Sequence, residues 1–255
     1  MRLQGIDVEV VRRGEGQTML VLHGGGGPVG QLPFVEKLAR HFDVIAPTHP
    51  GFGGSKIPEH FDRIDDLVFL YLDLLDELNL RDVTLVGFSM GGWTAAELAT
   101  MTTERVSRLI LVGSVGVKVG GREDRDIADV FALSREQLAE IMYHDPSLAV
   151  DVASLPVEQL QIVAANRIAL GVYTWEPYMH NPKLPGRLHR IKIPTHFIWG
   201  ESDGLVKLDY GRAFCAMIPG ASMTVIERAG HSPQIEQAEQ FVEAVLAITG
   251  KKVGR

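Results

Sequence analysis

Asp82-Val83-Thr84-Leu85-Val86-Gly87-Phe88-Ser89-Met90-Gly91-Gly92-Trp93-Thr94-Ala95-Ala96-Glu97-Leu98-Ala99 passes from strand-forming to helix-forming residues through a serine set among glycines. Residues 82–86 have the look of a short buried strand, and 93–99 that of a helix. Ser89 therefore stands on the corner between them. In a Gly-x-Ser-x-Gly pattern the serine is held on a sharp, strained strand-to-helix turn. Gly87 and Gly91 suit places where a side chain would collide with neighbouring backbone. The helix that starts there turns its unpaired N–H groups and positive dipole end toward anything bonded to Ser89. The pattern also arises by chance in a chain with 27 glycines. The strand before it and the small-residue helix after it are what mark Ser89 as a nucleophile.

Working outward, strands and helices alternate on both sides. Ile6–Val11 alternates apolar and polar, as a half-exposed strand does, and 18–22 (Thr-Met-Leu-Val-Leu) is continuously apolar after its first residue, as a buried strand is. That second strand ends at His23-Gly24-Gly25-Gly26-Gly27-Pro28, where glycines let backbone approach a ligand. Gly25-x-Gly27-x-x-Gly30 matches a dinucleotide fingerprint in form. Yet Pro28 falls inside it, and the next strand, 44–48, ends without the acidic residue that would hold a ribose. After that strand comes His49-Pro50-Gly51-Phe52-Gly53-Gly54-Ser55, where Phe52 is either a pocket wall or an aromatic plug in a glycine turn. Leu67, Leu70, Leu74, Leu75 and Leu78 share one face of a helix over 66–80 that leads into the Ser89 strand. Buried strands follow at 108–112 and 194–199, and a last one at 223–226.

Nearly all-apolar strands separated by helices predict a mostly parallel α/β sheet covered on both faces, with ligands bound at the carboxyl ends of its strands. From about 115 to 190 the rhythm breaks. Segments around 134–143, 146–153 and 158–171 look helical, without a clear strand, as a lid of helices inserted over the active edge would. The expected organisation is a core of 1–114 and 191–255 with a helical lid (cap) insertion at 115–190. Tyr173, Trp175, Tyr178 and Met179 cluster near the end of that insertion. They either line the substrate pocket, Trp175 foremost, or form the lid's own small core.

Bulk properties exclude several classes. At 255 residues and 45% hydrophobic content the chain has ample material for one large domain. A formal charge of −7 and the lack of a basic run beyond Lys251-Lys252 disfavour nucleic acid or an anionic membrane as partner. One cysteine, Cys215, precludes an internal disulfide, and no signal-peptide or membrane-span pattern is present, so a cytoplasmic location is expected. No two histidines have metal-ligand spacing such as His-Glu-x-x-His, and neither metal nor cofactor is expected. Nothing in the sequence sets an oligomeric state.

The motifs occur in a telling order: His23-Gly24-Gly25, then Gly87–Gly92, then Gly200-Glu201-Ser202-Asp203, then Gly230-His231. In this the sequence resembles the α/β-hydrolase superfamily, serine-nucleophile branch, over nearly its whole length. The resemblance implies Ser89 as nucleophile, His231 as the base that takes its proton, and Asp203 as the acid that fixes the histidine tautomer. Glu201 is the nearest rival for the acid. The resemblance also implies an oxyanion hole made by the N–H groups of Gly25 and Met90. A serine at 89, where some relatives carry aspartate, speaks against dehalogenase or epoxide-hydrolase chemistry. The first expectation is hydrolysis of a small carboxylic ester through an acyl-enzyme. The alternative is carbon–carbon bond hydrolysis of aromatic ring-fission products, because 23–28 is similar to that subgroup's loop. That subgroup usually has asparagine before the serine and tryptophan after the histidine, where this chain has Phe88 and Ser232. Perhydrolysis by the same triad is a further option, and a small-molecule receptor built on this fold is the reading from another class.

Overall fold

In the computed structural model, residues 1–251 are described; Lys252 of the basic tail lies outside them. The chain opens with a small hairpin, β1 (Arg2–Leu3) and β2 (Ile6–Asp7), turned by Gln4 and Gly5 in the left-handed region. It continues through β3 (Val10–Arg13), β4 (Thr18–Leu22), α1 (Pro33–Leu38), β5 (Asp43–Pro47), α2 (Ile64–Glu77), β6 (Val83–Phe88), α3 (Met90–Met101) and β7 (Val106–Val112). After β7 come α4 (Arg135–Met142) and α5 (Val157–Thr174), then β8 (Thr195–Gly200), α6 (Leu208–Ala216), β9 (Ser222–Ile226), α7 (Pro233–Glu236) and α8 (Ala238–Thr249). The alternation at 6–11 is thus not one strand. It divides between β2 and β3, with Val8 buried at the break.

Seven strands form one sheet in the order β3-β5-β4-β6-β7-β8-β9, all parallel except β3, which runs antiparallel to β5. The two-residue period of each strand sorts its side chains between two cores. Leu20, Leu22, Leu109 and Leu111 join α2, α3 and α6 on one face, while Met19, Val21, Ile110 and Val112 join α1 and α8 on the other. Each such fully buried leucine or valine contributes about 1.5–3 kcal/mol relative to exposure. The chain passes from β4 out to β5 and back across to β6, so strand order reverses at the β4–β6 pair. The crevice above such a reversal is where open α/β sheets take their ligands. Its two rims here are the loops that follow β4 and β6.

Between β7 and β8 no residue adds a strand to the sheet. The segment holds α4, whose Ser134 and Gln137 form a reciprocal capping box, and the long α5. The helical stretch expected at 146–153 is two single turns, 146–148 and 152–154, each started by an aspartate, Asp145 or Asp151, that accepts the N–H two residues on. Helix α5 lies across the rim. Tyr173 donates its hydroxyl to Pro50 O at 3.0 Å, and Asn166 bonds both Gly26 O (3.1 Å) and the N–H of Gly53 (2.9 Å). Among the described residues no single helix is long and apolar enough to cross a membrane.

Candidate active site

Strand β6 delivers Ser89 at its carboxyl end. The serine has φ 50° and ψ −114°, a conformation that costs a non-glycine residue and persists because its surroundings impose it. A Cβ on Gly87 would stand 2.4 Å from Gly91 O, and one on Gly91 would stand 2.4 Å from His23 O. The turn closes only with glycine at both places. Ser89 is half-buried, directly before α3, and its own N–H donates to Val112 O at 2.9 Å. Met90 begins α3, so its N–H has no partner within the helix. Neither Met90 N–H nor Gly25 N–H donates to a protein acceptor among the described residues.

Asp203 follows β8 and His231 follows β9. The Asp203 carboxylate accepts the Leu205 N–H (3.0 Å) and the Val206 N–H (2.8 Å) through Oδ1. Through Oδ2 it accepts His231 Nδ1–H at 2.8 Å. Because a carboxylate only accepts, the proton sits on Nδ1 and the Nε2 lone pair is left free to take a proton. The pair is buried, whereas Glu201 is exposed. A Cβ on Gly113 would stand 3.2 Å from His231 Nδ1, so the imidazole lies over the end of β7. Val112, the residue before it, is the one whose carbonyl holds Ser89. His231 and Ser89 therefore both lie at the carboxyl end of β7.

The glycine loop is held by a buried ring network. His49 N–H donates to His23 Nε2 (2.9 Å), so the His23 proton is on Nδ1, which donates to Gly24 O (2.7 Å). His49 Nε2–H donates to His23 O (2.8 Å), leaving its Nδ1 to accept from the Tyr71 hydroxyl. Burial pushes both imidazole pKa values down, His23 well below its usual range and His49 to about 4. Tyr71 is pushed well above its usual value by burial. All three rings stay neutral at ordinary pH, and their tautomers are fixed. This ties α2 to the backbone that carries Gly25.

Two expectations about the pocket are corrected. Phe52 is fully buried, edge-on to His23 and stacked on Tyr173, so it is the plug of its glycine turn and offers no wall. Trp175 is 56% exposed and packs against Phe131 and Tyr178 on the outer side of α5. There it borders a cleft of about 1280 Å³ shared with Trp93 and Arg167, whose lining includes none of Ser89, Gly25, Asp203 and His231. Sequence position does not say which side of a helix or loop faces the serine. Conversely, the motifs do not anticipate Asn166 or Leu170. Their signal is a polar residue at 166 in register with Ala169, Leu170 and Tyr173 on one helical stripe. Among the described residues no group of three or more His, Cys, Asp or Glu is placed to hold a metal ion.

A buried Asp203–His231 pair, a strained serine at a strand-to-helix corner and two N–H groups without a protein acceptor are the pieces that hydrolysis through a serine requires. Known proteins agree at the level of family. The profile of the alpha/beta hydrolase family matches residues 19–244. A 2-hydroxy-6-oxononadienedioate/2-hydroxy-6-oxononatrienedioate hydrolase of Cupriavidus pinatubonensis is 30% identical, covering 92% of this chain and 87% of its own. Solved structures share the fold. A meta-cleavage product hydrolase from Pseudomonas fluorescens superposes with TM-score 0.76 at 24% identity, covering 97% of this chain and 96% of that one. An esterase from Exiguobacterium antarcticum gives 0.76 at 19% identity, covering 98% of each. The chain is a hydrolase belonging to the alpha/beta hydrolase family.

Proposed function

We propose that this protein hydrolyses a carbon–carbon bond in a vinylogous diketone acid of the ring-fission type, with Ser89, His231 and Asp203 as its triad. This reverses the order of the two expectations, in which ester hydrolysis stood first. The observation that carries it is the 30% identity, over nearly the whole chain, to a hydrolase of that substrate class. His231 Nε2 takes the Ser89 proton as Oγ attacks the keto carbonyl. The tetrahedral oxyanion faces the N–H groups of Gly25 and Met90. The carbon–carbon bond breaks, its electron pair leaves into the conjugated enone, and the imidazolium supplies the proton. Water, deprotonated by the same imidazole, then cleaves the acyl-enzyme. Residues 115–190 serve as a lid, since α5 already bonds the loops that follow β4 and β5.

One specific observation favours ester hydrolysis as the second reading. Phe88 occupies the position where the ring-fission subgroup usually has asparagine. Its ring packs into the core against Phe34 (5.5 Å) and Phe241 (5.7 Å), giving the site no polar group. The deciding measurement is kcat/KM for a 2-hydroxy-6-oxo-dienoate beside 4-nitrophenyl esters of graded acyl length. A dienoate value above every ester is expected; an ester above the dienoate would replace the first reading with the second. Ser89→Ala should lower kcat on the better substrate by roughly 10⁶-fold, the scale of losing a triad nucleophile, while leaving the circular dichroism spectrum unchanged. Retention of more than a few per cent of activity would mean that another group is the nucleophile.

A further inference from the structure

Helix α4 has no fully buried residue, yet its last turn touches both loops that carry the acid and the base. Ile141 O accepts the N–H of Gly204 at 2.8 Å, and Met142 O accepts the N–H of His231 at 2.6 Å. Just beyond the helix, His144 Nδ1 and Ser202 Oγ lie 2.8 Å apart. The approach is close enough to dictate sequence, because a Cβ on Gly230 would stand 2.2 Å from Met142 O. A fourth tie comes from α7. The Glu236 carboxylate accepts the N–H of Gly230 through Oε1 (2.6 Å). Through Oε2 it accepts the N–H groups of His144 (2.7 Å) and Asp145 (3.3 Å).

The ties fall on residues 202, 204, 230 and 231, the immediate neighbours of Asp203 together with His231 and the residue before it. Asp203 and His231 follow different strands, and the end of α4 is a partner common to both loops. Hydrogen bonds to a carboxylate are strong, and Glu236 makes three to backbone from two separate segments, two of them at 2.6 and 2.7 Å. A side chain whose task was only to cap its own helix would not reach across to 144 and 145.

We propose that Glu236 is a positioning residue: with the carboxyl end of α4 it clamps the loops of Asp203 and His231 and sets the geometry of their hydrogen bond. The proposal rests on the triad reading given above. Glu236 touches neither substrate nor the reacting atoms. Its effect passes through the Gly230 backbone, and an error of about 1 Å in a catalytic group lowers a rate by about 100-fold.

The test compares Glu236→Ala and Glu236→Gln with the wild-type protein. Glu236→Ala should lower kcat on 4-nitrophenyl acetate ~10- to 100-fold with KM little changed. Glu236→Gln keeps one acceptor oxygen and should fall between the two. A second readout needs no turnover: the far-downfield proton NMR signal of His231 Nδ1–H, assigned by its loss in Asp203→Asn, should broaden and exchange faster with water in Glu236→Ala. Wild-type kcat in Glu236→Ala, or a lowered unfolding midpoint with the Nδ1–H signal unaltered, would overturn the clamp. Failure of the triad reading looks different. Ser89→Ala would then match wild type, while the proton signal would still report on Glu236.

Discussion

The two sides of the crevice are secured by opposite chemistry. On the acid–base side, Asp203 and His231 are held by backbone N–H groups, helix-end carbonyls and a second carboxylate. On the glycine-loop side, His23, His49 and Tyr71 form a sealed chain of neutral rings, and Asn166 adds a neutral amide. The difference follows from what each side must do in the proposed cycle. His231 has to pass a proton at Nε2, and its ring is oriented from the other side by the Asp203 carboxylate, which accepts Nδ1–H. The glycine loop has to present a fixed N–H to a developing oxyanion. A proton gained by His23 or His49 would abolish the acceptor nitrogen on which that loop's geometry depends.

The contrast breaks at different points with different force. Asp203→Asn should have the largest effect, lowering kcat by about 10⁴-fold, the scale established for the matching change in the Ser-His-Asp template. Steady-state kinetics on the preferred substrate measure it, and near-normal activity would hand the orienting role to another acid.

The next effect is on stability and has a defined sign. His49 titrates near 4 in the folded protein and at about 6.5 when unfolded. Below the higher value the unfolded chain takes up a proton that the folded chain refuses. Stability is therefore full above about 6.5 and falls as pH drops toward 4, by up to about 3 kcal/mol, before levelling off. Depression of the His23 pKa adds to the slope in the same direction. Urea unfolding at a series of pH values should show the slope in wild type and a shallower one in His49→Gln. Parallel slopes would mean that His49 is not held neutral by the fold.

The smallest expected effect sharpens the role of α5. A Cβ on Gly25 would stand 2.7 Å from the Leu170 side chain. Gly25→Ala should therefore displace the proposed oxyanion donor and lower kcat by ~10- to 100-fold, and Leu170→Ala in the same chain should restore most of it. If the second change restored nothing, contact with α5 would not be what sets the position of the glycine loop.

How much could be read in advance depended on how far the relevant contacts reach along the chain. The Ser89 corner is legible because its strand, its turn and its helix lie within about twenty consecutive residues, and each leaves a periodic or steric mark. The order of Gly87–Gly92, Asp203 and His231 is legible through the family resemblance. For Phe52 and Trp175 the sequence leaves open whether the ring lines a pocket or packs into a local core, since an aromatic side chain turns inward or outward according to neighbours far away in sequence. Asn166 is 140 residues from Gly26, and Glu236 is 92 from His144.

By itself, then, the sequence determined the alternation of strands and helices, the parallel sheet with its helices on both faces, and the strained corner at Ser89. All of these follow from local propensity and from the periods of 2 and 3.6 residues. Only tertiary structure decided that α4 reaches the loops of Asp203 and His231 while α5 reaches the glycine loop, that two histidines are sealed as neutral acceptors, and that Phe52 is a plug. Those outcomes depend on burial and on hydrogen bonds between segments that meet only after the chain has closed on itself.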